Sequence, residues 1–167
     1  MNIEEKMRIT INEARKSLVN MEFPVGAVIF NGDEIISRAH SSGESKLEFL
    51  PHAEIAVLLE ADKLHHFPRE RKKMQLFTTL EPCMMCLGAA MSFFIGEVYY
   101  ALEAPIDGAA DFAVRFWREN HKEIPGYSLP AIHSGLLKSE SQDLLREYIN
   151  LVPNGRLVEF SRTLINL

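Results

Sequence analysis

Two cysteines, Cys83 and Cys86, stand three residues apart in the segment PCMMC, and the chain has no others. A lone thiol pair at this spacing binds a metal or performs redox chemistry more often than it cross-links a fold. The pair lies at the start of a predicted helix, where the helix dipole lowers a thiol pKa and favours the thiolate that zinc binds. The pair therefore predicts two ligands of a zinc ion.

A catalytic zinc needs a third protein ligand, and two Cys plus one His is an established set that leaves one position open to water. Of the six histidines, His52 is the best candidate, because it begins a predicted helix and precedes Glu54 by two residues. Zinc chemistry on water also needs a nearby group that moves protons. We expect one Zn²⁺ per chain, held by His52, Cys83 and Cys86, with Glu54 as the catalytic residue.

Two other interpretations of the cysteine pair stay open. A redox dithiol would use the thiols without a histidine, although Pro82 stands before the pair instead of inside it. A purely structural zinc would need a further protein ligand, and few candidates are evident in the sequence.

The elements that must position these residues follow from hydrophobic spacing and turn residues. The predicted elements are, in order, a helix over 2–19, strands over 23–30 and 34–39, a helix from near His52, a strand over 74–80, a helix from Pro82 to about Phe94, a strand over 97–102 and helices near 111–121, 139–150 and 154–165. The strands at 74–80 and 97–102 flank a helix and should therefore be parallel. This order predicts an α/β fold, a three-layer α/β/α sandwich around a mixed central sheet of about five strands.

Chain length, composition and net charge limit the kind of protein that this sequence can encode. With 167 residues and 47% hydrophobic composition, we expect a single domain over 1–167, with a core over about 1–122 and a C-terminal helical segment over about 123–167. Scattered charges at the start and the lack of a long apolar run predict a cytoplasmic protein with no membrane partner. The formal net charge of −5 favours a small substrate over a broad nucleic-acid surface.

Three segments resemble the cytidine-deaminase superfamily, most of all its branch of bacterial tRNA adenosine deaminases and guanine deaminases. They are PVGAV at 24–28, HAE at 52–54 and TLEPCMMCLGAA at 79–90, and the resemblance runs from about Pro24 to Asp111. A His-x-Glu with Pro-Cys-x-x-Cys is typical of zinc-dependent nucleobase deaminases. The resemblance implies a cytidine-deaminase fold, a homodimer, and the same zinc ligands and proton carrier as above.

The resemblance also points to substrate contacts. Relatives in that branch usually carry an Asn shortly before the His-Ala-Glu triplet that hydrogen-bonds the base, whereas this chain has His40-Ser41 in the region. Ser41 is therefore one candidate substrate-binding residue, with a single hydroxyl in place of an amide. The segment DGAADF at 107–112 resembles the acidic pocket segment of guanine deaminases, which makes Asp111 a second candidate, and Ala53 inside the triplet is a third.

These features predict an aminohydrolase that uses water to replace an exocyclic amino group of a nucleobase, nucleoside or related N-heterocycle, with release of ammonia. An alternative in the same family is deamination of adenosine to inosine in a tRNA anticodon, for which a basic rim would come from Lys46, Arg69, Arg71, Lys72 and Lys73. A third possibility, of another class, is a catalytically silent zinc-binding partner subunit. The intact Glu54 argues against that third possibility, because a silent subunit has no chemical need for it.

Overall fold

The computed structural model describes residues 1–43, 48–64 and 67–167. The β-strands are β1 (Gly26–Asn31), β2 (Glu34–His40), β3 (Met74–Leu80), β4 (Glu97–Leu102) and β5 (Ala131–His133). The α-helices are α1 (Ile3–Arg15), α2 (Ala53–Asp62), α3 (Pro68–Arg71), α4 (Met84–Phe93), α5 (Ala110–Asn120), α6 (Lys138–Leu151) and α7 (Arg156–Ile165). Two short 3₁₀ helices follow α1 and α5, over Lys16–Asn20 and His121–Glu123.

The five strands form one mixed sheet in the order β2-β1-β3-β4-β5. β1 is antiparallel to both β2 and β3, and β3, β4 and β5 run parallel to one another. The hairpin between β1 and β2 turns at Gly32, whose φ of +59° is in the left-handed region that glycine tolerates best. The predicted hairpin and the predicted parallel pair are both confirmed.

Helices cover both faces of the sheet, because successive side chains of a strand point to opposite sides. In β1, Val28 and Phe30 pack on the face covered by α1, α6 and α7, where the core includes Met7, Leu144 and Tyr148. Ala27 and Ile29 of the same strand pack on the face covered by α2 and α4. The predicted three-layer α/β/α sandwich is therefore confirmed.

The structure departs from the predicted elements at several places. The short helix α3 was not predicted, and β1 begins three residues later than the strand expected over 23–30. The helix expected over 2–19 keeps α geometry only over Ile3–Arg15, and its last turn tightens to 3₁₀ before Met21, which has a φ of 57°. The three residues of β5 did not appear in the sequence as a strand. They gain order from the neighbouring strand, where the ring of His133 stacks on Tyr99 with centroids 4.4 Å apart.

In the described part of the chain, no helix is both long enough and apolar enough to cross a bilayer. The cytoplasmic location stays a prediction.

Gly26 lies where β1 passes closest to α1. An added Cβ at this residue would stand 2.4 Å from the backbone nitrogen of Ala14 and 2.6 Å from the carbonyl oxygen of Thr10. We expect Gly26→Ala to push strand and helix apart and to lower the free energy of unfolding by about 1–3 kcal/mol, as overpacking of a core does. Urea denaturation measures this loss. Gly126→Ala is the control, because in the described ranges no heavy atom beyond its chain neighbours lies within 4 Å of its added Cβ. Equal effects of the two variants would contradict the expectation.

Candidate metal centre

The three predicted zinc ligands stand at the starts of two helices that cover the same face of the sheet. His52 directly precedes α2, with an extended backbone of φ −69° and ψ 146°. Cys83 directly precedes α4 in a similar conformation, and Cys86 lies in the first turn of that helix. β3 brings the chain to this point, since it ends three residues before Cys83. Both helix amino ends therefore meet at the carboxyl end of β3.

The ligand atoms form a compact triangle. The Nδ1 atom of His52 lies 3.7 Å from the sulfur of Cys83 and 3.4 Å from the sulfur of Cys86, and the two sulfurs are 3.6 Å apart. Zinc binds sulfur at about 2.3 Å and nitrogen at about 2.0 Å in tetrahedral geometry, which separates neighbouring ligand atoms by roughly 3.5 Å. The triangle has the size of one face of such a tetrahedron, so these side chains fit a zinc ion.

The pKa values of His52, Cys83 and Cys86 depend on one another. A hydrogen bond from Cys86, together with the nearby His52, lowers the pKa of Cys83 to about 3. The same bond to Cys83 and burial raise the pKa of Cys86. The hydrogen bond with Cys83 also raises the pKa of His52. The shifts favour the thiolate at Cys83, and a cation that binds here competes with protons for the sulfur and nitrogen atoms.

Glu54 stands beside the triangle in the first turn of α2 and is only 3% exposed. Its Oε1 atom accepts a hydrogen bond from the Thr78 hydroxyl at 3.1 Å, and its Oε2 atom lies 3.6 Å from the sulfur of Cys86. Burial raises the pKa of Glu54, although the charge of His52 and the Thr78 bond act in the opposite direction. A buried carboxylate with a raised pKa next to a metal site is suited to take up and return a proton.

Sequence reasoning missed Thr78, although a signal was present. It is a fully buried hydroxyl in β3, and on the alternating strand it shares a face with Leu76, which packs against α2. A polar residue on the helix-covered face of a buried strand needs a hydrogen-bond partner, and here that partner is Glu54.

The predicted substrate contacts lie in different surroundings. The Ser41 hydroxyl donates to the carbonyl oxygen of Phe23 and accepts from the amide of Val25 at 3.3 Å, so it ties the end of β2 to the segment before β1. Ala53 is fully buried at the start of α2, and Asp111 is exposed in the first turn of α5. Their roles in substrate binding stay predictions.

Asp107 is the carboxylate of the 107–112 segment that lies within electrostatic reach of the metal ligands. Asp107 is exposed as a residue, but partial desolvation of its carboxyl group and the negative charge of Cys83 raise its pKa. Its neighbour Gly108 pairs with Cys83 in an isolated antiparallel bridge, which places the segment beside the loop between β3 and α4 that carries Cys83. The sequence interpretation named Asp111 in this segment, whereas the carboxylate that interacts electrostatically with Cys83 and His52 is Asp107.

The basic residues considered as an RNA-binding rim lie at the other end of the sheet. Arg69 and Arg71 belong to α3, and Lys72 and Lys73 follow it directly before β3 begins, whereas Cys83 follows the end of β3. A strand of seven residues spans about 20 Å. Lys46 lies outside the described residues. The described part of the predicted rim is therefore about the length of β3 away from the metal ligands.

Comparisons with known proteins agree with this geometry. Residues 1–102 match the family described as the cytidine and deoxycytidylate deaminase zinc-binding region. A tRNA-specific adenosine deaminase of Agrobacterium fabrum is 33% identical over 143 residues, which are 85% of this chain and 90% of the relative. A structure from a study of A-to-I editing by tRNA:A34 deaminases at the wobble position of transfer RNA has a TM-score of 0.68 and 32% identity, covering 83% of this chain and 96% of the other. A guanine deaminase from Nitrosomonas europaea, at 22% identity and a TM-score of 0.65 over 88% of this chain and 84% of the other, shares the fold.

Proposed function

Since this chain belongs to the cytidine and deoxycytidylate deaminase zinc-binding family, we propose that it converts adenosine to inosine in the anticodon of a tRNA. The reaction type is carried by one observation, the buried Glu54 carboxylate beside the triangle of His52, Cys83 and Cys86. The substrate is supported by the tRNA-specific adenosine deaminase that matches over most of both chains. The sequence alone favoured a free base or nucleoside, and the relatives support the tRNA alternative better.

The chain's own residues divide the work of the reaction. His52, Cys83 and Cys86 would hold the zinc, which when bound acts as a Lewis acid toward water. Thr78 holds Oε1 of Glu54, so Oε2 is the oxygen on the side of the ligand triangle. Glu54 takes a proton from water at Oε2 and passes it to the adenine ring nitrogen N1. It then carries the proton of the new C6 hydroxyl to the leaving amine, so that C6 becomes a carbonyl. A bond forms from the water oxygen to C6, the C6–N bond breaks, and ammonia leaves.

A free nucleobase or nucleoside is the second candidate substrate. It is favoured by the net charge of −5 and by the acidic Asp107 near the ligands, because tRNA binding depends on contacts from cationic side chains to phosphates. The basic run from Arg69 to Lys73 lies about 20 Å from the metal ligands. Only a substrate as long as an anticodon stem-loop could reach the metal ligands and contact this basic run at the same time.

Two assays on the zinc-loaded protein separate these substrates. We expect inosine in a tRNA transcript with adenosine at the first anticodon position, and none in the same transcript with guanosine there. Ammonia release from adenine, guanine, cytosine, adenosine and cytidine is measured alongside. Ammonia from this panel without inosine in the transcript would replace the proposal with the second candidate. A zinc-loaded protein that is inactive in both assays would point to a silent zinc-binding subunit.

Salt dependence adds an independent readout for the tRNA substrate. Binding that uses several phosphate contacts weakens steeply as salt displaces bound cationic side chains, by about 10³-fold between 50 and 200 mM for six contacts. We expect kcat/KM on the transcript to fall by at least about tenfold over this range. A flat salt profile on tRNA would contradict an interaction with the anticodon stem.

A further inference from the structure

The segment between β4 and α5 forms a wall beside Cys83, and a single side chain holds both of its ends. Glu81, the half-buried residue two positions before Cys83, accepts a hydrogen bond at Oε2 from the amide of Ala104 at 2.9 Å. Its other oxygen, Oε1, accepts from the amide of Ala110 at 3.0 Å. One carboxylate thus closes the loop 104–110 at its first and last residues.

The backbone of the wall also pairs with the segment that carries Cys83. The amide of Ala109 donates to the carbonyl oxygen of Pro82 at 3.0 Å, and Gly108 pairs with Cys83. The loop also closes on itself, since the amide of Gly108 donates to the carbonyl oxygen of Ala104 at 2.8 Å. The exposed tip of the wall, Ile106 and Asp107, therefore stands in a set position relative to the metal ligands.

Gly108 is part of the same arrangement. A Cβ added there would lie 2.3 Å from Cδ and 2.4 Å from Oε2 of Glu81, and 2.6 Å from the carbonyl oxygen of Ala104. The glycine is thus needed for space, because only a residue without a side chain lets the carboxylate reach the amide of Ala104.

We propose that Glu81 is a positioning residue that holds the 104–110 wall beside Cys83 and so sets how the substrate base is oriented over the metal ligands. The inference rests on the proposed function for its kinetic readout. The carboxylate itself does not touch the ligand triangle; it acts through the wall, whose tip carries Asp107. A misplacement of about 1 Å in a group that orients a substrate costs up to about a hundredfold in rate.

Kinetics and amide exchange on the zinc-loaded full chain test this role. We expect Glu81→Ala to raise KM and to lower kcat/KM by about tenfold to a hundredfold at unchanged zinc content. Glu81→Gln, whose amide oxygen can accept only one of the two hydrogen bonds, should lose less. Hydrogen exchange at Ala104 and Ala110 should become about tenfold faster in Glu81→Ala. Glu103→Ala is the matched control, because that nearby glutamate forms a partly exposed ion pair with Lys138 and does not bond to the wall in the described residues.

A second variant keeps the test independent of the removal of a charge. Gly108→Ala should cause a similar rise in KM, and the double variant with Glu81→Ala should lose less than the sum of the two, since both act on one contact. Unchanged exchange at Ala104 and Ala110, an unchanged KM, or a loss of activity matched by loss of zinc in Glu81→Ala would each overturn the proposal. If the unmodified protein deaminates none of the substrates, the proposed function fails, while the exchange measurement still tests the hold of Glu81 on the wall.

Discussion

We expect Glu54→Gln to bind one zinc ion per chain and to lose about a thousandfold in kcat, because the enzyme would lack the group that transfers protons. The glutamine amide oxygen can still accept the hydrogen bond from Thr78, so the side chain keeps its place in the buried site. The amide cannot take a proton from water and return it, and that is the property the reaction needs. Zinc analysis of the purified variant, followed by turnover of the substrate identified above, measures both halves of this expectation.

The control for this substitution lies on the same helix. Glu60 is exposed and forms an ion pair with Lys63 just after the end of α2, so Glu60→Gln should keep both zinc and turnover. If the Glu54→Gln protein converted substrate at the rate of the unmodified protein, Glu54 would have no role in the reaction. A variant that purifies without zinc would instead make Glu54 a determinant of metal binding.

His52→Ala and Cys86→Ser should each lose zinc, because either change leaves two of the three ligand atoms that now lie within 4.8 Å of one another. Loss of a residue that only supports a ligand already costs about 10- to 100-fold in metal affinity, so loss of a ligand should cost more than about a hundredfold. We expect no zinc to survive dialysis against a chelator, and no turnover. Metal content and activity, measured on the same preparation, test this.

Thermal unfolding provides a second measurement of the metal site. A ligand at 100 times its dissociation constant stabilises a protein by about 2.7 kcal/mol, so added zinc should raise the Tm of the unmodified chain. The two ligand variants should not respond at the same zinc concentration. His121→Ala is the control, since that imidazole follows the end of α5, bonds to the carbonyl oxygen of Trp117 and is not part of the ligand triangle. A normal zinc response in His52→Ala would show that another residue supplies the nitrogen ligand.

The sequence predicted the parts of the molecule that depend on local chemistry. Turn residues and alternating hydrophobic residues indicated the β1–β2 hairpin, and the strand-helix-strand order indicated that β3 and β4 are parallel. The three ligands were visible because each belongs to a short segment at the start of a helix. Glu54 needed only its spacing of two residues from His52.

The rest depends on contacts between distant segments, which spacing does not reveal. Thr78 meets Glu54 across 24 residues of chain, and Glu81 meets Ala104 and Ala110 across 23 and 29 residues. The strand β5 is too short to show a period of its own and takes its form from β4. For the same reason, the sequence interpretation named Asp111 and not Asp107, whose place near Cys83 depends on the backbone pairing of Gly108 with Cys83.

The order of the strands limits how copies of this chain can associate. In the described residues, β2 and β5 are the two edge strands of the sheet. An edge strand has unpaired backbone groups that can form hydrogen bonds with a strand of another chain. β5 offers only three residues for such pairing, and β2 places charged Glu34 and Arg38 at exposed positions. Both are features that discourage intermolecular β-sheet extension. The homodimer expected from the resemblance should therefore join through its helical layers, and its formation should leave each sheet with five strands.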